Sequence, residues 1–422
     1  MESNQGWEVK KSVENPPVSA GFEISNNPEE LIERTGTIWT AIAHVITGVI
    51  GAGVLSLAWS VAQLGWVAGP IVIVIFAAIT QVSTLLVCDC YRSPDPENGP
   101  TRNRSFMQAV KFYLGKTKQR ICAIFVLQSF YGCGIAYTIV TASSVKAILR
   151  SNCYHDEGKD AKCDYGNNIF MLIFGLTQIV VSQIPNFHNM AWLSIIAAIM
   201  SFSYAFIGFG LGFATVIENR QIKGSIRGVS APTSSQKMWL VFQALADIAF
   251  SYPYTQIVLE IQDTLRSPPP QNRTMKKATI ASILITTFFY LCCACFGYAA
   301  FGDHTPGNLL TGFGFYEPYW LYPQNKFINK FYACRLPMLP SFKLNMLSLC
   351  FRTVYVMSTT GLAMLFPYFN QVLGVLGALN FWPVAIYFPV EMYFVQSKTQ
   401  AWTRKWVALQ KIAILVQGNK MT

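Results

Sequence analysis

The chain has 422 residues, of which 52% are hydrophobic, 14% aromatic and only 13% charged, with a formal net charge of +11 and a mean hydropathy of +0.34. Soluble domains are about one-quarter charged, so this chain is too poor in charge to cover several water-facing globules. Its basic residues sit in loops between uncharged runs and do not interleave with aromatics on a polar face. That pattern excludes a nucleic-acid binder, and the composition also excludes a disordered protein and a disulfide-stapled secreted domain, leaving an integral membrane protein.

Residues 1–34 hold seven glutamates, including Glu2, Glu8 and Glu33, against Lys10, Lys11 and Arg34, with Pro16, Pro17 and Pro28. This predicts a solvated, disordered cytoplasmic tail without a secretory signal. Uncharged runs follow: Arg34 to Asp89, Arg120 to Lys146, Asp164 to Glu218, Lys237 to Glu260 (broken by Asp247), Lys277 to Asp303 and Arg352 to Glu391. A helix needs about 20 apolar residues to cross about 30 Å of hydrocarbon. The longest runs are therefore two crossings joined by a turn, marked by Gln63-Leu64-Gly65-Trp66, by Pro185 to Asn189 and by Phe366 to Asn370.

Nine transmembrane helices are predicted, at 37–61, 65–88, 121–146, 168–184, 190–216, 238–260, 278–301, 350–368 and 371–394. The run lengths favour an all-α helical bundle over a barrel, whose strands would alternate over about ten residues. A transmembrane domain over 35–396 and a basic tail over 397–422 complete the organisation.

The positive-inside rule places the loop with Arg92, Arg102, Arg104, Lys111, Lys116, Lys118 and Arg120 in the cytoplasm. Residues 147–167 then lie outside, where Cys153 and Cys163 are a candidate disulfide. The 217–237 loop, with Arg220, Lys223, Arg227 and Lys237, is outside against the rule. Residues 302–320 are also outside, yet 321–352 carry Lys326, Lys330, Arg335, Lys343 and Arg352 with no acid, an inside signature. The change of side falls near Trp320-Leu321-Tyr322, where no crossing is available. Nine spans also send the basic tail outside, so a crossing is missing.

Specific motifs begin in the first span: Thr35 to Ala41, His44, Gly48-Val49-Ile50-Gly51-Ala52-Gly53-Val54-Leu55-Ser56-Leu57-Ala58-Trp59, and Gln63 to Trp66. Others are Asp247 to Tyr254, Glu260 to Leu265, Met275 to Ala278, Gly307 to Phe313, Phe366 to Asn370, and Phe381-Trp382-Pro383 through Met392. Over roughly residues 30–405 the chain closely resembles the plant amino acid permeases of the amino acid/auxin permease family. The resemblance implies the five-plus-five inverted repeat of the amino acid–polyamine–organocation superfamily, with an eleventh helix appended. It also implies proton-coupled symport of amino acids, with no cofactor beyond the coupling H+. The family carries an eighth helix between Tyr319-Trp320 and Lys326-Phe327, where this chain has only Leu321 to Asn325. Its eleventh helix is absent as well, because the apolar run 406–417 is short and broken by Lys411.

Transporters of this type bind substrate where helices are broken. Gly48, Gly51 and Gly53 each lower helix stability by about 1 kcal/mol relative to Ala, although small residues also serve close helix packing. With the motif matched, the backbone of Gly48, Ile50, Gly51, Ala52 and Gly53 is the candidate cradle for the substrate carboxylate. Pro253 breaks the sixth span and makes Phe250, Ser251 and Tyr252 candidates for the other end. A simple proline kink is the alternative. Asp247, an acid well inside a span, and His44, which titrates near neutrality, are the proton-coupling candidates; each could instead be a structural hydrogen-bonding residue.

No catalytic constellation or metal-ligand spacing stands out, and an enzyme is not expected. The expected partners are an amino acid, protons and the bilayer, with no nucleic acid. The plasma membrane is the expected location, with retention in the endoplasmic reticulum if folding fails. The missing helices predict weak or absent uptake. The alternative is a non-transporting partner, regulatory or dominant-negative, of full-length permeases.

Overall fold

The computed structural model describes residues 34–158, 163, 165–183, 191–252, 254–312 and 346–398. The expected disordered tail, most of the basic C-terminal tail, Pro253 and the segment around Trp320 lie outside the described residues. Helix occupies most of the described residues in each predicted span. Among the described residues, five helical stretches are long and apolar enough to cross a membrane: Leu57–Asp89, Phe106–Tyr154, Ile196–Asn219, Gln271–His304 and Phe369–Gln396.

The first span is two rods. Helix α1 (Ile38–Val49) starts on a reciprocal cap, in which the Thr37 hydroxyl accepts from the Thr40 N–H while the Thr40 hydroxyl accepts from the Thr37 N–H. It ends at Ile50. A 3-10 turn (Ala52–Leu55) leads into α2 (Leu57–Asp89), whose first segment stops at Gly65. Gly65 has φ 87°, a left-handed conformation suited to glycine, and a Cβ there would strike the Ile226 carbonyl oxygen. This is the turn that Gln63 to Trp66 predicts. Beyond it, Gly69, Ile73, Ala77, Thr80 and Thr84 are buried while Val67, Ile71, Val74 and Ile75 are exposed. One helical face meets the bundle and the other suits lipid.

A short hairpin (β1 Arg92–Ser93, β2 Thr101–Arg102) precedes α3 (Phe106–Glu157), in which Gly115 at φ 85° sets off an initial segment. Helix α3 thus exceeds the predicted 121–146 at both ends. Cys153 in its last turn is disulfide-bonded to Cys163. Then come α4 (Asn167–Ser182), α5 (Ala191–Asn219), α6 (Ser234–Ser251), a 3-10 turn (Thr255–Ile257) and α7 (Val258–Asp263). The predicted sixth span is therefore also two rods. Helix α8 (Gln271–Phe301) packs between α2 and α5. The last elements are α9 (Met346–Leu365), α10 (Phe369–Asn380), a wide π turn (Phe381–Tyr387) and α11 (Phe388–Gln396).

The outer loop that violates the charge rule has a structural use. It folds over the Gly65 turn, with Val229 N–H bonding Ala62 O and Trp66 N–H bonding Ser225 O. The Lys237 ammonium donates to the carbonyls of Gln63 and Val229, each at 2.6 Å. Partial burial pulls the Lys237 pKa below its usual value, and Asp303 pushes it back up. The ammonium thus satisfies the Gln63 carbonyl beside the Gly65 break and ties the loop to it through Val229.

The opposite end of the bundle is closed by polar contacts. Lys276 at 2.6 Å and Asn272 at 2.8 Å converge on Asp89 Oδ1, and the Tyr91 hydroxyl donates to Asp263 at 2.7 Å. Asn103 donates to Cys90 O, so the side chains of two formal glycosylation sequons, at Asn103 and Asn272, are committed inside the fold. Arg352 at the start of α9 donates to Ser182 O at the inner end of α4, while Gln396 donates to Arg92 O and Pro94 O. Asn370, at the other end of this helix pair, lies against Gly307 in the outer loop. Arg352 and Gln396 thus lie at the end of the bundle away from Asn370. The expected change of side near Trp320 lies outside the described residues.

Candidate functional site

The two interruptions meet near the middle of both predicted spans. A Cβ on Gly53 would lie 2.6 Å from Ser251 Oγ and 3.1 Å from Ser251 Cα, so only a hydrogen fits between the first broken span and the sixth. On Gly51 a Cβ would lie 2.6 Å from the Tyr137 hydroxyl of α3, and on Gly48 it would lie 2.7 Å from Ile257 Cδ1. Gly51 has φ −113°, so space rather than left-handed backbone explains the residue choice. Close packing and an open backbone therefore share the same glycines.

A helix end leaves carbonyls without intrahelical partners, and here two tyrosines take them. The Tyr290 hydroxyl of α8 is shared between Val49 O at 2.6 Å and Ser251 O at 2.9 Å, one carbonyl from each broken span. The Tyr204 hydroxyl of α5 donates to Ile50 O at 2.6 Å and lies 3.1 Å from Gly51 O. The N-terminal end of the Ala52–Leu55 turn has no side-chain cap. The carbonyls at the first break are thus engaged by the protein, while its N–H end receives no side chain. Neither tyrosine was a sequence candidate, since both lie in runs already crowded with aromatics.

Ile50, Ala52 and Gly53 are buried beside the break, Gly51 is half-buried and Gly48 is exposed. Phe250 is half-buried at the end of α6. Tyr252 is fully buried and turns toward α8, its ring 5.2 Å from that of Tyr290 and its hydroxyl 3.4 Å from Thr287 Oγ1. Of the predicted binding residues, the structure brings Gly53 and Ser251 into direct contact. Thr255, just past the second break, donates to Val384 O in the π turn, so the wide turn is tied to the same region.

Asp247 has no exposure, and among the described residues neither carboxylate oxygen has a hydrogen-bond partner. It faces Gly374 of α10, where a Cβ would come within 3.3 Å of its Oδ1. An unpaired charge in such a place costs several kcal/mol, on the order of that for an intramembrane ion. His44 is half-buried on α1, one turn before Gly48.

Two interrupted helices in contact, inside a bundle with lipid-compatible flanks, define a multi-pass membrane transporter of the broken-helix class. The sequence model of the transmembrane amino acid transporter proteins matches residues 34–329 and 318–418. Probable amino acid permease 7 of Arabidopsis thaliana is 56% identical over 420 residues, covering 90% of each chain. Amino acid permease 8 of the same plant is 48% identical over 421 residues, covering 91% of this chain and 88% of its own. Amino acid permease 3 is 48% identical over 418 residues, covering 90% and 88%. The chain belongs to the transmembrane amino acid transporter family, and its class is transport rather than enzymatic catalysis.

Proposed function

We propose that this protein is a proton-coupled amino acid symporter that holds its substrate between the two helix breaks. One observation carries the reading: the carbonyls around Val49 to Gly51 are held by Tyr290 and Tyr204, while the Ala52–Leu55 turn has no side-chain cap. The N–H end of a helical turn favours an anion, and in this proposal it takes the substrate carboxylate. Gly48 to Gly53 and Phe250 to Tyr252 form the walls. Asp247 exchanges the coupled proton or faces the substrate ammonium, either of which relieves its uncompensated burial. His44 is the second proton candidate, and the plasma membrane is the working location.

The test is radiolabelled amino acid uptake in permease-deficient yeast, normalised to surface protein, with and without a protonophore. Accumulation that collapses with the proton gradient supports the proposal. Accumulation that follows sodium, or none for any amino acid, overturns it. The second reading is a weakly transporting or non-transporting chain that modulates full-length permeases. It is favoured by the two family-matched stretches meeting at 318–329, where the charge pattern also breaks. Reduced uptake by a co-expressed intact permease, with physical association, is its signature.

A further inference from the structure

A pocket of about 330 Å³ opens at the outer end of the bundle, lined by Trp59, Gln243, Asn308, Asn370 and Gln371 among others. Small-molecule pockets run from about 300 Å³ upward. Its wall has hydrogen-bonding amides from three elements and no charged side chain among the lining residues. Asn308 spends its side-chain oxygen on the Leu310 N–H, at 3.1 Å. Asn370 is different: it is only 7% exposed, and its Oδ1 has no hydrogen-bond partner among the described residues. The side chain lies flat on Gly307, where a Cβ would approach within 2.9 Å, so the glycine makes the room that this amide occupies.

A buried, unpartnered acceptor is costly unless something fills it. An acceptor on an uncharged, polar wall with one indole face suits a ligand that is neutral overall and carries a cationic donor. We infer that this pocket is an outer subsite for zwitterionic amino acids, with the α-ammonium donating to Asn370 Oδ1 and Trp59 lining one side. Gln243 stands one helical turn before Asp247 and eight residues before Ser251. At 1.5 Å per residue the subsite lies about 12 Å outward from the Gly53–Ser251 contact. Between them Gly374 packs closely on α6, where a Cβ would sit 3.2 Å from Gln243 Cγ and 3.3 Å from Asp247 Oδ1. The inference rests on the transport reading for its role, but the subsite can be tested without transport.

Gln371→Cys places a thiol on the exposed rim, to be labelled on intact cells with a membrane-impermeant maleimide. L-Glutamine and L-alanine at saturation should slow labelling at least threefold, L-arginine less. This protection should persist in Gln371→Cys/Gly53→Val, in which the central contact is blocked. It should weaken about tenfold in concentration dependence in Gln371→Cys/Asn370→Leu, through loss of one charge-assisted hydrogen bond. Protection abolished by Gly53→Val, or unchanged by Asn370→Leu, overturns the subsite. Absent uptake with protection intact overturns the transport reading and leaves the subsite standing. Asn370→Asp, which keeps the acceptor, guards against misfolding as the cause and should retain protection.

Discussion

Tyr290→Phe deletes one oxygen atom at the point where both interrupted spans meet. The hydroxyl is fully buried and serves Val49 O at 2.6 Å and Ser251 O at 2.9 Å. Val49 O also accepts from the Gly51 N–H at 2.8 Å, so the loss of the hydroxyl falls mainly on Ser251 O. Stranding a buried acceptor costs about 1–3 kcal/mol, whereas the ring, and its packing 5.2 Å from the Tyr252 ring, is preserved. That range corresponds to about 5- to 150-fold in an equilibrium. The predicted result is an uptake rate reduced by at least about fivefold per surface molecule, with a lowered thermal midpoint in detergent. Tyr204→Phe strips a neighbouring pair, Ile50 O and Gly51 O, and the double variant should cost less than the two losses combined, since both hydroxyls brace one short segment. Wild-type uptake and stability in Tyr290→Phe would show that the shared hydroxyl does not hold the breaks together.

Gly53→Val drives a branched side chain into Ser251; an overpacking penalty of about 1–3 kcal/mol should remove uptake while surface protein persists, and retained uptake refutes the close contact. Asp247→Asn keeps the shape but cannot exchange a proton, so stimulation of uptake by lowering external pH should disappear; stimulation equal to wild type excludes Asp247 as the coupling group. Lys276→Met leaves Asp89 with Asn272 alone, a partly exposed pair worth about 1 kcal/mol or less. Thiol reagent applied to inside-out vesicles should then reach Cys88 and Cys90 several times faster, and an unchanged rate means that the pair does not close the inner end. Cys153→Ser opens the outer loop crosslink, for which removal of about 2–4 kcal/mol is typical; surface abundance should fall, and undiminished abundance at raised temperature counts against a stabilising role.

The spans were legible because charge is so costly in hydrocarbon that runs such as Arg34 to Asp89 admit few alternatives. The turn at Gly65 was legible for the same reason, since no single helix uses so long a run. Breaks at Gly48–Gly53 and after Ser251 could be anticipated from glycine and the 250–254 motif. The reason for each glycine could not, because the atoms that exclude a Cβ belong to Tyr137, Ser251 and Ile257 on distant segments. Tyr204 and Tyr290 were hidden likewise: a tyrosine in an aromatic-rich run announces no partner until α5 and α8 are packed beside α1. The expected 121–146 span missed the length of α3 because a charged extension such as Lys146 to Glu157 carries no hydrophobic signal, although its helix is regular.

Near the inner surface, Gly36 N–H bonds Thr264 O and Arg266 N–H bonds Gly36 O, each at 3.0 Å, and a Cβ on Gly36 would crowd the Thr264 oxygen at 2.5 Å. Main chain stitches the root of α1 to the strand of chain leaving α7, with no side chain to rotate out of the way. Displacing the base of α1 from the segment that leaves α7 would therefore have to break both of these backbone bonds, and no change of rotamer could relieve it.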